Sequence, residues 1–525
     1  MLAKTPYGPL TVDVESFDLP PSFPLVLPVC RELGLAQIVD RWCPMLRSEH
    51  VTHGQVIEFL VLHILQAPHR LPLYKLEAWA EEHNVDRLYD CPAQAFNDDR
   101  VRRALDAIAP LVSTIEADVV TRALERYHVP VQAVHWDLTH VTFAGVHEGS
   151  PIICAGYGDG QLHDKQVHVS LHVTSEDGIP VRHETLAGNA QQAPLASAML
   201  ADLQSRLAQS DLIIVSDCAG ISYDNIVTYR QAGGHFLGPL QLTPAEREQL
   251  AAVPPEAFCE LSYRSMGEPR CVYSCHDTTL TLRREKKAAP IVIRALFMHS
   301  TSKHQRDAKH RQKQLDKTLR RLEKINGHLN QRQYARFEYA QTQVAKAVPQ
   351  ALQDIVGYDL QGPDKQLQLR WWVDENALAH AARGDGRYLL STDLTEPSAE
   401  ECVVLYKHQA TNEARFRDLN NDLSVHPVFL QSTERICALL FVFILALTVY
   451  ALLGLCAKRA ELEGDHYHKM TARQLIYHFS YNVKVTQLHI SGQPPQCQFV
   501  LSVDQQYILY RLGFPDPTIF LKQPA

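Results

Sequence analysis

Apolar side chains recur three and four apart up to about residue 125, and beyond Val131 they alternate. The first pattern predicts helices over VCRELGLAQIVDRW (29–42), HGQVIEFLVLHIL with Thr52 as N-cap, LYKLEAWAEEH, and DDRVRRALDAIAPLVSTIEADVVTRALERY. Residues 1–28, punctuated by Pro6, Pro9, Pro20, Pro21, Pro24 and Pro28, read as an extended leader. The second pattern predicts strands in VQAVHWDLTHVTF, KQVHVSLHVTS and IPVRHETLAG, then a helix in APLASAMLADLQSRLA. The strand DLIIVSD, the helix DNIVTYRQAG and the strand HFLGPLQL follow, so the order is β-β-β-α-β-α-β. Antiparallel strands leading into α/β crossovers predict a mixed sheet with helices on its faces.

The regular pattern breaks down over 245–385, which reads as an insertion of α+β character. It resumes at GRYLLSTD and in SAEECVVLYKHQATNEARFRDLNNDL, expected as one long helix. The expected domains are therefore a helical segment at 29–125 for DNA binding or dimerisation, a core of 126–244 with 386–460, the insertion, and a tail of 461–525.

Ile436–Ala457, ICALLFVFILALTVYALLGLCA, is 22 residues without a charge, long enough to span a bilayer. It is a solitary run directly after a polar helix, and a helix apolar on all sides also suits the centre of a large domain, the preferred reading. Twelve cysteines without a C-x-x-C pair, and no apolar core at the N-terminus, point to a reducing, cytoplasmic setting. Cys259, Cys271, Cys275 and His276 match no common zinc spacing. No Gly-x4-Gly-Lys-Ser/Thr loop supports an NTPase.

Charge changes the picture more. The chain carries −8 overall, but Lys303–Lys346 holds twelve Lys/Arg against four Asp/Glu, a local +8 that leaves −16 on the remainder. A basic island in an acidic chain suits a polyanionic partner. Asp137 interrupts an otherwise β-branched and aromatic strand, and Asp217 ends the strand DLIIVSD. In the expected sheet these strands are neighbours, and two adjacent carboxylates repel unless a divalent cation lies between them. Tyr406, Gln409, Glu413 and Asn420 share a stripe of the later helix, with Phe416 and Leu419 beside it, so Glu413 is the candidate third acid.

WDLTHVTF, IVSDCAGISYDN and LYKHQATNEARFRDLNNDLSVHPVFLQSTERICALLFVFILAL resemble, in that order, the three acid-bearing segments of bacterial insertion-sequence transposases of the Asp-Asp-Glu class. The resemblance covers roughly residues 22–460 and is to the branch marked by a Tyr-x2-Arg-x3-Glu-x6-Lys signature. It implies a ribonuclease-H-like α/β core and a metal-dependent polynucleotidyl transferase. Asp137, Asp217 and Glu413 would be both catalytic residues and ligands of two Mg²⁺ or Mn²⁺ ions. It also implies double-stranded DNA as partner (terminal inverted repeats and target), a homodimer on DNA, and a place at the nucleoid. Gln409 and Asn420 stand where the signature has Arg and Lys, so the DNA-contacting set is expected from Tyr406, Lys407, Gln409, Arg415, Arg417 and Asn420. The basic segment adds Lys309, Arg311, Lys313, Lys317, Arg320, Arg321 and Lys324.

Three other readings compete. One is a DNA-binding protein without catalysis, the second a single-span membrane protein. The third is a haloacid-dehalogenase-like phosphatase, which needs an acid where Thr139 stands.

Overall fold

A computed structural model of the chain describes residues 2–5, 8–45, 50–66, 72–89, 91–143, 149–158, 161–190, 199–265, 267, 270–283, 289–425, 430, 432–463, 469–481, 483–490 and 495–521. The fold is mixed α/β, and contacts divide it into two compact units: residues 1–220, 228–234 and 407–525, and residues 221–227 and 235–406.

The first unit begins with a hairpin, β1 (Leu2–Thr5) on β2 (Gly8–Leu19). The expected leader is shorter than 28 residues, because helix Phe23–Leu33 takes Pro24 in its first turn, where proline costs no hydrogen bond, and carries Pro28 inside. Gly34, at φ 65°, ends that helix and starts Leu35–Trp42, splitting the single helix expected there. Thr52 caps His53–Ile64 as expected, with Gln55 completing a capping box. Asp98–Ile108 and Val112–Arg126 are separated around Pro110. The sheet follows: β3 (Ala133–Thr142), β4 (Cys154–Gly158), β5 (Gln161–Thr174), β6 (Pro180–Ala187) and β7 (Ile213–Ser216). Its order is β4-β5-β3-β7, with β6 also on β5. β3 is antiparallel to β5 and parallel to β7. Helix Leu200–Leu207 lies in the expected helical segment, whose residues 193–198 fall outside the described ones.

The second unit holds β8 (His235–Pro239), β9 (Cys259–Glu260), β10 (Tyr273–Leu282), β11 (Ile291–Ser300), β12 (Val356–Gln361), β13 (Gln368–Val373) and β14 (Arg387–Thr392). Its sheet runs β8-β14-β11-β10-β9, and β12 and β13 form a separate hairpin. β11 feeds the basic helix Thr301–His328, capped by Ser300. Leu315, Leu322 and Ile325 of that helix pack with Ala340 and Val344 of helix Phe337–Ala347 and with Val356 of β12.

The chain returns to the first unit through helix Gln409–Arg417 and the apolar helix Thr433–Arg459. The latter is the centre of the core: 94% of its most apolar window is buried. His53–Ile64, Asp98–Ile108 and β6 pack around it, and the His183 ring stacks on Phe441 at 5.4 Å. The apolar run is thus a core helix, and the single-span reading is corrected by its protein surroundings. Residues beyond 460, unread from the sequence, form helix Ala472–His478, β15 (Val483–Ile490), β16 (Gln496–Val500) and helix Val503–Leu512. β15 pairs antiparallel with β2 and β16.

These units differ from the expected domains. The N-terminal helices share one core with the β3–β7 sheet because both bury apolar faces on Thr433–Arg459. β8 and β14, expected in the core with 126–244 and 386–460, group with the insertion.

Candidate functional site

Asp137 and Asp217 meet through strand register. In the parallel pair β3–β7 the last partners are Trp136 and Ser216, so each acid stands one residue further on, at adjacent strand ends. Neighbouring strands lie about 4.8 Å apart, and in-register residues project to the same face. Strand ends of this kind are where α/β sheets gather ligand groups. Each carboxylate also fixes its own loop. Asp137 Oδ1 accepts from the Leu138 N–H at 2.8 Å, and Asp217 Oδ1 accepts from the Ala219 N–H at 2.9 Å.

The third acid arrives on a helix bound to the same strand. Asn412 is fully buried, and its Nδ2 donates to the His135 carbonyl at 3.0 Å and to the Leu171 carbonyl of β5 at 3.2 Å. Leu171 is the cross-strand partner of Asp137. Gln409 Nε2 donates to the Trp136 carbonyl at 3.1 Å, while its Oε1 accepts from His135 Nδ1 at 2.9 Å. His135 Nε2 lies 3.0 Å from Ser175 Oγ, which lies 3.1 Å from His408 Nδ1. Phe416 and Leu419 are buried in the core of the unit. Arg415 closes the far side: Nε donates to the Gly178 carbonyl at 2.9 Å, Nη2 to the Asp177 carbonyl at 3.2 Å, and Nη1 to Asp418 at 2.6 Å.

Glu413 is one residue beyond Asn412 and exposed; Asp137 and Asp217 are half-buried. Burial, then the charges of Asp217 and Glu413, push the Asp137 carboxyl up to about 6, against the lowering by the Leu138 N–H. The three acids therefore share one electrostatic neighbourhood. Among the described residues, no three His, Cys, Asp or Glu side chains are drawn around one point as a ready cage. The donors are nevertheless the hard carboxylate oxygens that Mg²⁺ and Mn²⁺ take, and a divalent cation would relieve the repulsion seen at Asp137.

The remaining expected residues divide. The long helix expected over 398–423 is three pieces. Ala399–Lys407 ends before His408, and Gln409–Arg417 runs into a π-turn at Asp418–Asp422, where the Leu423 N–H bonds the Asp418 carbonyl at 2.8 Å. The stripe through Tyr406, Gln409, Glu413 and Asn420 is thereby interrupted, because a wider turn shifts every later side chain around the axis. Tyr406 falls in the second unit and Lys407 in the first. Gln409 and Arg415 are tied to protein carbonyls, and Asn420 Oδ1 is buried without a partner among the described residues. Arg417 is exposed. On the basic helix, Lys309, Lys313, Lys317, Arg320, Arg321 and Lys324 are exposed, whereas Arg311 is paired with Asp385, Nη2 to Oδ2 at 2.6 Å. His135, Ser175, His408 and Asn412 were not singled out from the sequence. Only the two-residue spacing of His135 from Asp137, which puts both on one strand face, signals any of them.

A family model described as a domain of unknown function, DUF4277, matches residues 18–114. No curated protein matches the chain. A cryo-EM structure of the piggyBac transposase synaptic complex with hairpin DNA is similar at 9% identity and a TM-score of 0.38, over 89% of this chain and 82% of that one. A Mos1 transposase paired-end complex with the left transposon end is similar at 13% identity and a TM-score of 0.16, over 35% of this chain and 62% of that one.

Proposed function

We propose that the chain is a DNA transposase that cleaves the ends of an insertion sequence and joins them to target DNA by metal-dependent phosphoryl transfer. The observation that carries this reading is the placement of Asp137 and Asp217 at adjacent parallel strand ends, with Glu413 on a helix bound to the same strand. We read the sheet, with β3 antiparallel to β5 and parallel to β7, as a ribonuclease-H-like core.

Asp137, Asp217 and Glu413 would hold two Mg²⁺ or Mn²⁺ ions, which would supply Lewis acidity at the phosphodiester and an acidified water. The chain supplies the rest. The two aspartates present negative charge from rigid strand ends, and the Leu138 and Ala219 N–H groups hold one oxygen of each. Glu413 is the exposed member, presented from its helix. The basic helix offers DNA a row of cations: Lys309, Lys313, Lys317, Arg320 and Lys324 follow one another at helical spacing, about 23 Å end to end at 1.5 Å per residue, opposite the buried Leu315, Leu322 and Ile325. Such a row tracks phosphates without reading sequence.

The test is nicking and strand transfer, with Mg²⁺ or Mn²⁺, on a duplex built from the DNA that flanks the gene. The reading expects cleavage that is lost in Asp137→Ala. Cleavage that persists in that variant, or in EDTA, overturns it.

A further inference from the structure

The departure at 409 from the resembled signature has a structural account. Gln409 and Asn412 stand on one turn of the helix that carries Glu413, and both side chains end on the backbone of β3 just before Asp137. A strand carbonyl accepts only, so each amide nitrogen must face its carbonyl, and Gln409 Oε1 is left to accept from His135 Nδ1. With Nδ1 donating, the neutral ring accepts at Nε2 from the Ser175 hydroxyl, whose oxygen then accepts from His408 Nδ1. Every donor in this chain has an acceptor. His135 and Asn412 are fully buried, which keeps water from these two members.

An arginine at 409 has donors only. Beside it His135 would have to take its other tautomer, accepting at Nδ1 and donating from Nε2 to Ser175, and a cation would lie under a buried ring. The two amides also fix the helix on the strand that carries Asp137 and on its antiparallel neighbour, since Asn412 spans β3 and β5.

We infer that Gln409 and Asn412 are positioning residues that clamp the Glu413 helix to the Asp137 strand, and that the neutral amide at 409 serves this clamp rather than a DNA contact. The inference rests on the proposed function for what the clamp serves, but the clamp itself is testable without DNA.

The experiment compares full-length wild type, Asn412→Ala, Gln409→Arg and Gln409→Glu, the last keeping an acceptor for His135 and losing only the donor to Trp136. Amide hydrogen exchange over 409–417 and 133–142 is read in metal-free protein, and Mn²⁺ affinity by calorimetry. The clamp expects exchange in 409–417 at least tenfold faster in Gln409→Arg and Asn412→Ala, with smaller acceleration in Gln409→Glu. It expects at least tenfold weaker Mn²⁺ binding and unchanged exchange in 301–328. Wild-type exchange in all three variants overturns it, as does tighter DNA binding by Gln409→Arg with unaltered Mn²⁺ affinity. Absence of Mn²⁺ binding by wild type would instead defeat the proposed function, while the exchange data still decide the clamp.

Discussion

Asp137 and Asp217 occupy equivalent places on two parallel strands, each one step past the registered pair Trp136–Ser216. Side-chain geometry at that point is set by backbone pairing, so it does not depend on a bound ion. Two half-buried carboxylates at such positions cost stability, as groups kept for chemistry do. Asp137→Asn and Asp217→Asn are therefore expected to abolish metal-dependent nicking, by at least a thousandfold, while the thermal midpoint of metal-free protein at pH 8 rises or holds. Calorimetry beside a cleavage assay checks both; a fall of several degrees in the midpoint would mean that these acids are structural.

Gly178 tests the docking of the Glu413 helix from the opposite side. It has φ +63°, and a Cβ there would come within 2.5 Å of Thr411 Cγ2 and 2.9 Å of Arg415 Nε. Its carbonyl also accepts from Arg415 at 2.9 Å. Gly178→Ala should destabilise the protein by about 1–3 kcal/mol, the strain of a left-handed backbone added to a displaced helix. Urea unfolding measures the loss, and the cleavage rate should fall further than stability alone accounts for.

Glu58 gives a dependence on pH far from the site. It is fully buried beside Arg31, Nη2 to Oε1 at 2.9 Å, and burial outweighs that cation to push its carboxyl up to about 7. An unfolded glutamate titrates near ~4.3, so the folded state binds the proton more tightly. Its contribution to stability is fully present below the unfolded value and is lost as pH rises through about 7. Glu58→Gln should then flatten the decline in unfolding free energy between pH 5 and 8.5, with its greatest relative gain at the alkaline end. A parallel decline in mutant and wild type would contradict this.

The basic helix separates charge from fold. Lys313, Lys317 and Arg320 are exposed, so the triple alanine variant should fold normally and lower the salt slope of non-specific DNA binding by about 3, at ~0.9 per contact. Arg311→Ala should behave differently, since Arg311 is paired with the buried Asp385: stability falls and the slope holds. Fluorescence titrations from low to moderate salt distinguish the two.

Much of this was legible in the chain. Thr52 announced its N-cap, the alternation in VHWDLTHVTF marked β3, and the strand order placed Asp137 beside Asp217. The limits have physical causes. The first half of helix Phe23–Leu33 was hidden because prolines at 24 and 28 read as breakers, although the first sits where no helical N–H is needed. The apolar run 436–457 satisfies the length test for a membrane span, and only the burial of its whole circumference by other elements shows it to be a core helix. The tail past 460 owes its order to pairing with β2, more than 460 residues away in sequence, which no local pattern reveals. The clamp through Gln409 and Asn412 was missed because neutral amides on a helix look like surface positions; their partners are backbone carbonyls brought near by the fold.

The most direct test of the central claim is anomalous diffraction from crystals grown with Mn²⁺. The account predicts Mn²⁺ peaks within coordination distance of Asp137, Asp217 and Glu413 together. A well-ordered site with Mn²⁺ elsewhere, or none at these three carboxylates at saturating concentration with end DNA bound, would contradict it.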